Sequence, residues 1–202
     1  MNWFIGFLFE VLRPALGLII LVGLLLYWIL KKKLLKEKFL KLILYIFSGV
    51  IIFQSVFSTI LNWWLWSQQG LTQRLLPPHS PISYVLKYSW QHYWFESIIT
   101  ILTAVIVFFG IYLLNKKFEK NLFYNEEKYL AALGILATGW PNCLIFLSLV
   151  LFLGVILHLI SFLFNKGGNR LSLLYSWIPC ALLVLLLNDI INKYIGINQF
   201  II

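Results

Sequence analysis

Charge is scarce in this chain. Only 11% of its 202 residues are charged, and seven of those are acidic. No charged side chain occurs in the 37 residues from Tyr129 to Asn165 or the 32 from Leu42 to Gln73. Further uncharged runs cover residues 15–30, 97–115 and 171–188. Such runs exclude a soluble domain, whose exterior must be wetted. Two cysteines, Cys143 and Cys180, exclude a disulfide framework and any CxxC metal or redox site, and each reads as a small packing residue. The amino end lacks a basic region ahead of its first apolar run, so no cleavable signal peptide is expected.

What is present is apolar: 61% of residues, 18% of the chain being aromatic. A bilayer's hydrocarbon core is about 30 Å thick and needs about 20 apolar helical residues to cross it. The reading is therefore all-α: a polytopic helical membrane protein with five spans in one transmembrane domain. The expected spans are residues 14–30, 39–66, 93–114, 142–164 and 171–191. Pro14 suits a first helical position, Trp63, Trp64 and Trp66 suit a headgroup belt, and Pro179 is expected to kink the last span. Gly70, Pro77, Pro78 and Pro81 mark residues 67–91 as an outer loop, apolar enough to lie on the membrane surface or tuck against the bundle. The 37-residue run is too long for one span and is broken by Gly139-Trp140-Pro141-Asn142. It is parsed as a short interfacial or re-entrant helix, 126–138, followed by span four. Asn125 is the expected N-cap, with Glu126 and Glu127 in the first turn, where the helix dipole favours them.

The net charge of +9 does not point to nucleic acid, because the basic residues gather at span ends. Lys31, Lys32, Lys33, Lys36, Lys38 and Lys41 form one group, and Lys116, Lys117, Lys120 and Lys128 another. Together with Lys193 these give eleven cytoplasmic positive charges. Four lie outside: Arg74, Lys87, Lys166 and Arg170. By the positive-inside rule this predicts a multi-pass cell-membrane protein with its N-terminus outside and its C-terminus cytoplasmic. The expected partners are the lipid bilayer and other membrane protein subunits.

Ionisable groups within a membrane are costly, so each is a candidate for function. Glu10 and Arg13 are three apart and can pair on one helix face. His92 and Glu96 are four apart and, with His79, could offer three metal ligands; a structural His–Glu bond, or Glu96 pairing with Arg74 or Lys87, is the preferred reading, and no metal or other cofactor is assigned. His158 lies mid-span and reads as a packing residue. Asn188, Asp189 and Asn192 read as an anchor beside Lys193.

The segment Glu126-Glu127-Lys128-Tyr129-Leu130-Ala131-Ala132-Leu133-Gly134, followed by Gly139-Trp140-Pro141, resembles part of the type IV prepilin (leader) peptidases. That family has a G-x-G-D-x-K-L-x-A-x-x-G element with a following G-W. Ile178-Pro179 and Glu96 match further positions, so the resemblance covers the C-terminal half. It implies a catalytic role for the aspartate aligned with Glu126. Here both glycines of the tetrad are replaced, by Phe123 and Asn125, and Asn115 is nearest to the second catalytic aspartate. Glu126 and Asp189 are thus weak catalytic candidates, and no aspartyl-type protease activity is expected. Three functions compete: a structural or assembly subunit of a membrane complex, which is preferred; a degenerate prepilin-peptidase-like protein; and lipid or small-molecule handling at the outer face through Glu10, Arg13, His92 and Glu96.

Overall fold

The computed structural model describes residues 13–31, 36–68, 70, 72–118, 123–163, 173–188 and 190. These are helical throughout: α1 (Arg13–Lys31), α2 (Glu37–Gln68), α3 (Ile82–Ser89), α4 (Phe95–Lys117), α5 (Glu127–Thr138), α6 (Asn142–Leu163) and α7 (Leu174–Leu186). Among the described residues three stretches are long and apolar enough to cross a membrane: Arg13–Leu30, Glu37–Gln68 and Ile82–Lys117. Shorter apolar stretches, Asn142–Leu157 and Ser176–Leu186, lie in α6 and α7.

Residues 67–91 are not all loop. A 3-10 turn, Thr72–Leu75, leads to the proline cluster, and Pro81 then opens α3 in an extended conformation. A π-helical turn, Trp90–Trp94, joins α3 to α4, making one helical stretch from Ile82 to Lys117. No proline or glycine follows Pro81 until Gly110, so nothing halts the helix once it has begun. Ahead of it Leu76 is buried, and Ser80 Oγ donates to the Arg74 carbonyl at 2.8 Å within the loop.

The centre of the bundle is α5. It packs on α1, α2, α4, α6 and α7, and every residue in it except Lys128 is buried. An interfacial helix would keep one face open to headgroups, and α5 has none. Its small residues explain the closeness. Ala137 fills the space where Gly17 of α1 would carry a Cβ, 2.9 Å away, and the Phe146 ring of α6 occupies the same space at Gly134. Small residues let helix backbones approach closely, as membrane bundles require.

The break at 139–141 reverses the chain. Gly139 takes φ +71°, a conformation glycine adopts without strain, and the Cys143 N–H bonds back to the Gly139 carbonyl. The start of α5 lies near the starts of α2 and α7, through Tyr129–Glu37 and Glu127–Trp177 bonds. Its end lies near the starts of α1 and α6 and the end of α7, through Arg13–Leu136 and Asn142–Asn188 bonds. The bundle therefore has a lysine-rich end and an Arg13 end. α5 runs from the first to the second, α6 returns, and α7 rises again. The five-span parse has α6 leaving from the cytoplasmic side. In the structure it leaves from the Arg13 end, so the end of α7 shares a side with the start of α1.

Candidate functional site

Two polar clusters flank α5, one at each end. At the lysine-rich end, Glu127 is fully buried. Its Oε1 accepts from the Tyr124 N–H at 3.2 Å and its Oε2 from the Trp177 indole N–H at 3.3 Å. The carboxylate thus ties the start of α5 both to the preceding linker and to α7. Burial pushes its pKa up to about 7; bonds from the Tyr124 backbone, Trp177 and the Leu173 backbone oppose the rise, and the charge of Glu126 adds to it. Beside it, Asn115 fixes the linker. Its Nδ2 donates to the Phe123 carbonyl at 3.0 Å while its Oδ1 accepts the Phe123 N–H at 2.8 Å. Lys128 pairs with Glu37 at 3.2 Å, and Glu37 also accepts from the Tyr129 hydroxyl at 2.9 Å. The Lys128 ammonium lies over the Phe108, Tyr112 and Tyr129 rings at 5.1 to 5.8 Å, within cation–π range.

At the opposite end, the Arg13 guanidinium is only 7% exposed and lies against Gly139. Its Nη2 donates to the Leu136 carbonyl at 3.5 Å, and its Nε has no partner. The Trp140 backbone N–H donates to Thr100 Oγ1 at 2.9 Å, which locks the α5–α6 turn to α4. Asn142 Nδ2 donates to Asn188 Oδ1 at 2.6 Å, holding α6 against α7. Glu96, half-buried on α4, is close enough to Arg13 to act on it electrostatically.

No family model, characterised protein or solved structure matches this chain.

The residues singled out from sequence distribute as follows. Arg13 and Glu96 act on each other electrostatically without forming an ion pair within 4 Å. His92 is exposed and stacks on Tyr88, with ring centroids 4.2 Å apart, and joins neither. Among the described residues no three His, Cys, Asp or Glu side chains could share a metal, and the one ion pair is Lys128–Glu37, so neither Arg74 nor Lys87 pairs with Glu96. Glu126 is the N-cap residue of α5, in place of Asn125, and makes no side-chain cap bond. Glu10, Asp189 and the side chain of His158 lie outside the described residues. Asn188 sits at the Arg13 end, whereas Glu126 sits at the lysine-rich end; α5, about 18 Å long at 1.5 Å per residue, separates them.

Glu127 is the residue that sequence reasoning undervalued, as a first-turn dipole partner. A signal was available. A helix that is apolar all round is buried all round, so an acid in its first turn goes inside with it.

Proposed function

We propose that this chain is an integral protein of the cell membrane that serves as a structural or assembly subunit of a membrane complex. One observation carries the reading. Buried polar side chains at both ends of α5 bond across separate segments of the chain, and those bonds hold α5 in place. Glu127, Asn115, Thr100 and Asn142 each bridge separate segments. Catalytic groups would instead converge on a shared space open to substrate. The outward surface is apolar: Ile19, Phe53, Ile106, Leu151 and Leu163 are well exposed and suit lipid or a partner helix.

The topology that goes with this reading differs from five spans. α1, α2, α4 and α7 cross, and α5–α6 forms a re-entrant hairpin entered from the cytoplasm. Twelve of the sixteen basic residues then belong to cytoplasmic ends and connections, since Lys166 and Arg170 join the α6–α7 connection. Only Arg13, Arg74, Lys87 and Lys193 remain outside. This is a stronger positive-inside bias than the five-span arrangement provides, and it turns the end of α7 outward.

Two measurements test the proposal. Single cysteines placed at Lys33 and after Ile202, in a background lacking Cys143 and Cys180, are probed in intact cells with an impermeant reagent; only the second is expected to react, and the reverse result overturns the topology. Extraction in native nanodiscs followed by mass measurement is expected to give a stoichiometric complex with other membrane subunits. A lone chain that cleaves a prepilin-like peptide in a Glu126-dependent manner overturns the subunit reading.

A further inference from the structure

We propose that Arg13, with the Trp140 indole and the amino end of α6, forms a binding site for a phosphate group. The inference goes beyond the subunit role and does not depend on it.

The argument begins with an imbalance. A guanidinium presents five N–H donors and a permanent positive charge. Arg13 is more than nine-tenths buried, yet among the described residues its one hydrogen bond, to the Leu136 carbonyl, is 3.5 Å long, at the outer limit for such a contact. Its Nε has no partner at all. Buried charges are ordinarily paired and fully bonded, because an unpaired one forfeits its hydration without return. Glu96 is the carboxylate that acts on Arg13 electrostatically, but no ion pair forms between them within 4 Å.

A second unpartnered donor belongs to the same turn that Arg13 touches. The Trp140 indole N–H is buried and also lacks a partner. Trp140 directly follows Gly139, and the guanidinium carbon and Nη2 lie 3.0 Å from the position a Cβ on Gly139 would take. The close approach of Arg13 to the turn therefore requires glycine there. Two residues beyond Trp140 the 22-residue helix α6 begins, and its amino end adds positive potential to the turn, its Cys143 and Leu144 N–H groups being bonded to the Gly139 and Pro141 carbonyls. The site thus offers a fork of N–H donors, a separate indole donor and a favourable dipole. That set suits an anion with several oxygens, and a planar guanidinium matches two phosphate oxygens at once. The site lies about 18 Å along α5 from the lysine-rich end. In a hydrocarbon core about 30 Å thick, it is nearer the headgroups of the opposite leaflet. The phosphate can come from a phospholipid headgroup or from solution.

The test uses the full chain purified in maltoside without phosphate, with thermal unfolding followed against added phosphatidylglycerol, inorganic phosphate or chloride. Wild-type protein is expected to be stabilised by one phosphate source and not by chloride. A response to phosphatidylglycerol alone identifies a lipid headgroup, and a response to inorganic phosphate identifies a soluble ion. Arg13→Gln should weaken the response at least tenfold and Trp140→Phe several-fold. Glu96→Gln removes a competing negative charge and should strengthen it. This opposite sign separates a binding role from a merely structural one and keeps the test decisive if Arg13→Gln fails to fold. Absence of any phosphate response in wild-type protein, or equal responses in wild type, Trp140→Phe and Glu96→Gln, overturns the site.

Discussion

The two ends of α5 handle a buried charge in opposite ways. At one end, Glu127 is enclosed and accepts bonds from the linker and from α7, so its burial is compensated by donors from the chain itself. At the other end, Arg13 is almost as enclosed but makes a single long bond among the described residues. The first end is closed and structural. The second is chemically incomplete. The comparison teaches that burial alone does not mark a functional group in a membrane bundle; what matters is whether the surrounding chain supplies the partners that burial demands.

The contrast breaks most severely at Glu127. Glu127→Leu is expected to destabilise the bundle by about 3 kcal/mol, because the buried Trp177 indole would lose its acceptor, at about 1–3 kcal/mol, and the bond that ties the linker to α5 through the Tyr124 N–H would be lost as well. Glu127→Gln keeps one of the two acceptor oxygens and removes the charge, so it should lose less than Glu127→Leu at pH 8. Thermal unfolding of both variants in one detergent decides between these outcomes, and equal losses would show that charge rather than acceptance is what the site needs.

The same carboxyl gives a pH dependence. Its folded pKa of about 7 lies above the ordinary carboxylate value of 4.5. The folded state therefore holds the proton more tightly than the unfolded one. The stability this contributes is fully present below pH 4.5 and is lost as pH rises through about 7. Unfolding temperature measured from pH 5 to 8 is expected to fall in the wild type and to fall less in Glu127→Gln. A wild-type slope that Glu127→Gln retains would assign the dependence to another group.

Two smaller effects sharpen the picture. Gly134→Ala drives a methyl into the Phe146 ring and should cost about 1–3 kcal/mol through overpacking; Phe146→Leu in the same chain should recover part of the loss. Glu126→Gln should cost no more than about 0.3–1 kcal/mol, the dipole contribution at the start of α5, since its side chain makes no cap bond. A larger loss would show that Glu126, and not only its buried neighbour, is part of the closed end.

Much of the helix plan was legible in the chain. Charge-free runs fixed where helices could enter a membrane, and α1, α2, α6 and α7 begin or end within a few residues of the expected bounds, as does the short helix before Gly139. The break at Gly139-Trp140-Pro141 was legible because it depends on backbone chemistry that is local to those residues. The direction of α6 was not. Whether a turn leaves a short helix at the membrane edge or sends it through the bundle depends on which surfaces it meets, and Ala131, Ala132, Gly134 and Ala137 acquire meaning only beside Phe146 and Gly17. The sites followed the same division. Sequence alone determined that charges inside this protein would be few and consequential, because hydrocarbon penalises each one. Tertiary structure alone decided which charge is satisfied and which is not, because hydrogen-bond partners such as Trp177 for Glu127, and the missing one for Arg13, come from segments far apart in the chain.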